Sequence, residues 1–176
     1  HRYDPNTPLE ETLQALVDIV RQGKALYVGI SRWPLEALKI ADKYLREHDV
    51  PLLIYQGRLN MLDHSPQDEG ILDYCAEHCV GFISFSPLAQ GLLTDRYLNG
   101  IPEDSRMARE HFLKHSMLTP ELLAHLKDLN AQAEAQGKTL AEMALGWILQ
   151  QKGVTSVLVG ASSPEQLLKN LKCISE

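Results

Sequence analysis

The chain has 176 residues, 44% hydrophobic and 23% charged, with a net charge of -6, a balance typical of a single globular domain with a real core. That acidity excludes the basic footprint of a nucleic-acid binder. No apolar run approaches the ~20 residues that span a bilayer, and no signal peptide opens the chain, so membrane insertion and secretion are not expected.

The elements follow from N to C. Thr7-Pro8-Leu9-Glu10 reads as a capping box with Pro8 at the first helical position, and Gly23 closes that helix. Leu13, Leu16, Val17 and Val20 form its apolar stripe. Ala25 to Ile30 reads as a buried strand, and Ser31-Arg32-Trp33-Pro34 turns into a helix carrying Leu35, Leu38, Ala41 and Leu45 on one face. Val50-Pro51 ends it. Leu52 to Tyr55 is the second strand, and Gln56 to His64 a polar loop. Ser65 is expected to cap the next helix, with Asp68 and Glu69 in its first turn, where the helix dipole favours acids. Phe82 to Phe85 is the third strand. Thr119-Pro120 starts a helix that ends at Gly137, and Thr139 with Glu142 makes a second capping box for a helix to about Gln151. Ser156 to Val159 is the fourth strand, and Ser163-Pro164 opens a last helix with Leu167, Leu168 and Leu171 facing inward.

Short strands that are apolar throughout and alternate with capped helices indicate a parallel sheet covered on both faces. Four such periods fill half of an eight-fold barrel, whose usual size is ~250 residues, or a doubly wound sheet. Periodicity does not decide between them, but no G-x-G-x-x-G follows any strand. An internal echo pairs Tyr27-Val28-Gly29-Ile30-Ser31 with Leu158-Val159-Gly160-Ala161-Ser162. The stretch from Gly81 to Arg106 dominates the chain. A strand delivers its C-terminal end into a long polar loop holding small residues, hydroxyls and two guanidinium groups, Arg96 and Arg106. That loop suits a phosphorylated cofactor, or is a surface loop with ordinary charges.

Other candidates carry plainer readings. Cys75 and Cys79, four apart on a helix beside His78, lack a further convergent ligand and read as buried free thiols. With Cys173 they make no disulfide framework, which fits a reducing, cytoplasmic setting. His111 and His115 read as solvated, and no metal site is expected. Asp4 is either an acid partner for His1 or a turn former before Pro5. Trp33 is a packing residue or a pocket wall.

Several stretches resemble the C-terminal part of an aldo-keto reductase. They are His1-Arg2 with Asp4-Pro5-Asn6-Thr7-Pro8; Gly23-Lys24-Ala25-Leu26-Tyr27-Val28-Gly29-Ile30-Ser31; Phe85-Ser86-Pro87-Leu88-Ala89; Gly100-Ile101-Pro102 with Ser105-Arg106; and Ser156-Val157-Leu158-Val159-Gly160-Ala161 with Glu165-Gln166-Leu167. They are most similar to the branch that holds bacterial L-glyceraldehyde 3-phosphate reductases and the β subunits of potassium channels. The resemblance implies an α/β (β/α)8 TIM barrel, of which residues 1–176 supply the part after the fourth strand as one domain. It also implies NADPH-dependent reduction of aldehydes or ketones, such as glyceraldehyde 3-phosphate or methylglyoxal. Of the family's catalytic Asp, Tyr, Lys and His, only the His has a counterpart, His1. Channel subunits typically carry Asn there, so the resemblance favours an enzyme over a cofactor-sensing subunit. The first residue is not Met, and the chain reads as part of something longer, or as an inactive fragment.

The same resemblance supplies a set of cofactor residues. Ser31 and Arg32 would lie beside the nicotinamide, Gln56 would hold its carboxamide, and Phe85 would stack on its ring. Ser86, Pro87, Leu88 and Gln90 would line the pyrophosphate path. Arg96 would contact phosphate, and Arg106 would grip the 2′-phosphate. Gly160, Ser162, Gln166 and Asn170 would form the adenine side. The expected partner is a small carbonyl compound, and homo-oligomerisation is left open.

Overall fold

Left-handed residues set where most of the helices stop. The computed structural model describes residues 1–105, 107–109 and 113–174. Its helices are α1 (Leu9–Arg21), α2 (Leu35–Glu47), α3 (Ser65–Asp68), α4 (Ile71–Glu77), α5 (Pro120–Ala135), α6 (Leu140–Leu149) and α7 (Pro164–Leu171). Its strands are β1 (Val28–Ser31), β2 (Leu52–Arg58), β3 (Gly81–Phe85) and β4 (Val154–Val157). After α1, Gly23 takes a φ of +69°, its N–H donates to the Val20 carbonyl, and the Lys24 N–H reaches back to Ile19 at 3.0 Å. This is a Schellman turn. Gly137 closes α5 the same way. Asp49 after α2 and Cys79 after α4 adopt the same left-handed conformation without being glycine. The N–H groups of Val50 and Val80 then complete the turns, each at 2.9 Å.

Helix starts divide into those that match the sequence reading and those that do not. Thr119, Thr139 and Ser163 each accept a backbone N–H with the side-chain oxygen, and Thr139 and Glu142 form the full capping box. Thr7 does not cap α1: its hydroxyl donates to the Asp4 carboxylate at 2.7 Å, and Pro8 is the N-cap. Asp4 also accepts the Asn6 N–H at 3.0 Å. A carboxylate three residues upstream thus holds that hydroxyl in a local turn ahead of the helix. Asp4 is therefore the turn former, and these hydrogen bonds hold its carboxyl below the usual range. Ser65 is likewise already helical rather than a cap, and Gly70, left-handed at φ +76°, separates α3 from α4. Cys79 lies beyond the end of α4 rather than on it, which leaves it exposed where a buried thiol is expected; Cys75, inside the helix, is buried.

The sheet order is β1-β2-β3-β4, with β1–β2 and β2–β3 parallel. The Thr155 hydroxyl accepts the Phe82 N–H at 3.1 Å. Strand limits move from expectation: β1 begins at Val28, leaving Leu26 and Tyr27 exposed; β2 runs on through Gln56 to Arg58; and β4 begins two residues early, at Val154. Both faces are not equally covered. Burial alternates along β3, and neither Thr155 nor Ser156 of β4 is buried, so the apolar runs signal strand identity better than they signal burial.

The described chain divides into two compact units. The first holds residues 1–59, 64–85 and 151–156. Its core includes Leu13, Val17, Leu38, Leu45, Tyr55 and Phe82, with Tyr55 and Phe82 stacked at 5.8 Å. Between α2 and α4, buried Asp42 accepts Arg46 Nε at 2.8 Å and the Tyr74 hydroxyl at 3.1 Å, and lies 3.5 Å from His78 Nδ1. A buried carboxylate needs such partners. Burial, then the Asp42 charge, pushes the Tyr74 phenol up to about 12.

The second unit holds residues 60–63, 86–150 and 157–176. Its core gathers Leu92, Leu93, Tyr97, Leu98 and Met107 from the long loop with Leu126, Leu129, Leu140 and Ala144 from α5 and α6. The loop is thus anchored by its own apolar side chains. Leu167, Leu168 and Leu171 of α7 do not face inward; they are 41%, 65% and 43% exposed. Among the described residues, no helix is long and apolar enough to cross a membrane.

Candidate functional site

Strand register decides which side chains share a face. In the first unit Ser31 pairs with Gln56, Gln56 with Ile83, and Arg58 with Phe85. Side chains alternate along a strand, so Ser31, Gln56, Arg58, Ile83 and Phe85 lie on one face, at the C-terminal ends of parallel strands. That end is where open and closed α/β sheets build ligand sites. Gln56 and Phe85 are half-buried and Ser31 is buried. Arg58, exposed at the end of β2, is absent from the sequence-derived set because Gln56 to His64 reads as loop. Extending the strand count from Leu52 would have found it.

Beside this row the chain bends sharply. Arg32 is left-handed at φ +59°, and its N–H donates to the Gln56 carbonyl at 3.2 Å. Trp33, expected as either packing or pocket wall, is only 4% exposed and packs. Its indole N–H donates to the His1 carbonyl at 3.0 Å, and its own carbonyl accepts the Tyr55 hydroxyl at 2.7 Å. The His1 side chain is exposed.

In the second unit, the segment Ser86-Pro87-Leu88-Ala89-Gln90 is wound tightly. Ser86, Ala89 and Gln90 have φ of 52°, 46° and 62°. Each non-glycine residue in that region costs of order 1–3 kcal/mol, a strain that clusters at ligand-binding segments. Asn60, 2% exposed, holds the segment: its Nδ2 donates to the Ser86 carbonyl at 3.0 Å and its Oδ1 accepts the Leu62 N–H at 2.9 Å. Arg96 pairs with Asp104 at 2.8 Å, so a phosphate there would compete with a carboxylate. Gln166 Oε1 accepts the Ser162 N–H at 2.6 Å and its hydroxyl at 3.0 Å, which locks these two residues together at the start of α7. Asn170 is 6% exposed, and its Nδ2 has no hydrogen-bond partner among the described residues. Among the described residues nothing lies within 4 Å of where a Cβ on Gly160 would stand, whereas Gly29 lies against the Ile54 carbonyl. The two halves of the sequence echo are therefore not equivalent positions. Arg106 and His111 lie outside the described residues.

A separate cleft of about 340 Å³ opens at the opposite, N-terminal ends of β3 and β4, lined by Cys75, Cys79, Val80, Gly81 and Gly153. Thr155 also lines it, with its hydroxyl oxygen taken by the Phe82 N–H. Burial, then the Asp42 charge, pushes the Cys75 thiol up to about 12.

The aldo/keto reductase family model matches residues 1–176. The chain belongs to the aldo/keto reductase family. It is 49% identical over 179 aligned positions to the L-glyceraldehyde 3-phosphate reductases of Escherichia coli O157:H7 and of Escherichia coli strain K12, covering 99% of this chain and 52% of each relative. The chain thus spans about half the length of these curated relatives and corresponds to their C-terminal half. Among solved structures it is similar to a thermostable aldo-keto reductase in complex with the inhibitor epalrestat, at 27% identity and a TM-score of 0.71. That match covers 100% of this chain and 53% of the other. The fold is that of the latter part of the family's TIM barrel, as the resemblance implied.

Proposed function

We propose that the protein carrying this chain is a cytoplasmic NADPH-dependent reductase of small aldehydes, with phosphorylated aldehydes such as glyceraldehyde 3-phosphate the foremost substrates. The observation that carries the proposal is the register row Ser31, Gln56 and Phe85 at the C-terminal strand ends, in a chain 49% identical to named glyceraldehyde 3-phosphate reductases. Hydroxyl, carboxamide and aromatic face are what a nicotinamide requires. The partnerless Asn170 Nδ2 fits an acceptor on the adenine side, since a buried donor left unsatisfied costs ~1–3 kcal/mol. Arg96 supplies a guanidinium for phosphate, with Arg106 proposed for the 2′-phosphate.

When bound, NADPH supplies the hydride. The residues of this chain do the rest of their work by holding and orienting. Ser31, Arg32 and Gln56 would hold the nicotinamide end and Phe85 its ring, and Ser86, Pro87, Leu88 and Gln90 would offer backbone to the pyrophosphate. Gly160, Ser162, Gln166 and Asn170 would hold the adenine end. His1 orients the carbonyl oxygen or helps relay its proton. Reduction of a carbonyl leaves an oxygen that needs a proton within hydrogen-bond reach.

The test uses the whole protein. NADPH oxidation should depend on added glyceraldehyde 3-phosphate, and His1→Ala should slow turnover by ~10²-fold or more. Cofactor titration by fluorescence should show Arg106→Ala weakening NADPH roughly ten- to a hundred-fold, the scale of one charge-assisted hydrogen bond, with NADH nearly untouched. Equal loss for both cofactors would move the 2′-phosphate preference elsewhere. Turnover unchanged in His1→Ala would remove His1 from the reaction.

A further inference from the structure

Resting on that reading of His1, we propose that Trp33 is a positioning residue for His1, and that Tyr55 holds Trp33 in place. The three residues form one hydrogen-bonded chain from the sheet to the backbone of His1. Tyr55, 2% exposed on β2, donates its hydroxyl to the Trp33 carbonyl at 2.7 Å. Trp33, 4% exposed, donates its indole N–H to the His1 carbonyl at 3.0 Å. Each donor is buried, so each bond is worth keeping: a buried N–H or O–H that loses its acceptor is left with its full desolvation cost.

The supports of this chain are rigid. The Tyr55 ring stacks on Phe82, with centroids 5.8 Å apart and planes 16° from parallel. Phe82 is fully buried. Left-handed Arg32 turns the chain at the end of β1 so that Trp33 faces into the unit, and its N–H is tied to the Gln56 carbonyl at 3.2 Å. Tyr3 meets the Trp33 ring edge-on at 5.7 Å, which steadies the segment two residues beyond His1. The bend that carries Ser31 and Arg32, proposed at the nicotinamide, therefore also carries the anchor of the proposed catalytic imidazole. Displacement of a reacting group by about 1 Å can cost ~10²-fold in rate, so a backbone anchor of this kind acts on turnover rather than on binding.

Trp33→Phe keeps an aromatic ring against Tyr3 and removes the N–H. In the whole enzyme it should lower kcat by roughly ten-fold or more, with KM for the aldehyde and Kd for NADPH changed less than about two-fold. In a His1→Ala background the same change should have almost no effect on kcat, because its route of action is gone. Tyr55→Phe should produce a smaller fall in kcat of the same kind. In the cofactor-free protein the Trp33 indole proton should exchange slowly, and more quickly in Tyr55→Phe. An equal kcat loss for Trp33→Phe with and without His1 would make Trp33 merely structural and overturn the proposal, as would fast indole exchange in wild type. Wild-type protein with no NADPH-linked turnover would sink the reductase reading and the positioning role with it. Active wild type with unaffected Trp33→Phe and Tyr55→Phe would sink the positioning role alone.

Discussion

Replacing Gly57 by alanine should loosen the sheet from inside. A Cβ built at Gly57 would stand 2.6 Å from Phe82 Cζ, 2.7 Å from Cε2 and 3.1 Å from Tyr55 Cε1. Ordinary contact begins near 3.5 Å, so Phe82 would have to retreat by almost 1 Å. It has little room: it is 0% exposed and stacked on Tyr55, whose hydroxyl is committed to the Trp33 carbonyl. Overpacking of a filled core costs about 1–3 kcal/mol. For a domain of roughly this size each kcal/mol lowers the thermal midpoint by about 2–4 °C. Gly57→Ala should therefore melt several degrees below wild type in a scan followed by far-UV circular dichroism. Phe82→Leu removes the clashing ring edge, so the double variant should lose much less than the sum of its single losses. Additive losses, or a Gly57→Ala midpoint equal to wild type, would refute the packing argument.

Gly29→Ala should be harder to accommodate, because its Cβ would meet the Ile54 backbone carbonyl at 2.8 Å; no side-chain substitution should rescue its thermal midpoint. Thr139→Ala should cost ~1 kcal/mol of stability through the lost cap of α6, read as a lower denaturation midpoint. The Thr139 N–H holds the Glu142 carboxyl below its usual range, so its folded pKa is depressed. Its contribution is then full above the ordinary glutamate range and fades as pH falls through the folded value. The stability gap between wild type and Glu142→Gln should accordingly shrink on acidification, and a gap constant from pH 7 to about 3 would contradict it. At neutral pH a maleimide should label exposed Cys79 in the native protein and leave Cys75 untouched until denaturant is added, since burial keeps Cys75 a thiol.

Helix identity was legible where a side chain answers its own neighbourhood. Thr119, Thr139 and Ser163 cap as their positions suggest, each accepting a first-turn N–H, and Thr139 also donates its hydroxyl to the Glu142 carboxylate of that same turn. Thr7 does not cap because α1 starts one residue later, with Pro8 at the N-cap, and the Thr7 hydroxyl belongs to the Asp4 turn. The parallel pairing of β1 with β2 and of β2 with β3 was also legible, from continuous apolar runs. Their limits were not, because backbone pairing carried β2 through polar Gln56 and Arg58. In the candidate site, Ser31, Gln56 and Phe85 were named from family resemblance, and only the register shows them on one face. The Trp33–His1 bond was invisible to the sequence, since a carbonyl acceptor leaves no mark on residue type. The burial of α7 was misjudged because spacing shows which leucines share a face but not whether anything covers it.

The turn after α4 has a practical side. Cys79 occupies a left-handed position that Gly23 and Gly137 fill without strain at the ends of α1 and α5. An L-residue with a Cβ is disfavoured there, and the exposed thiol adds a group open to oxidation and disulfide exchange on storage. Cys79→Gly would ease the backbone and remove that group in one change. It would leave Cys75, buried, and Cys173, half-buried, as the remaining thiols. The helix end thus offers a ready route to a preparation that ages more slowly, at a site remote in the strand direction from Ser31, Gln56 and Phe85.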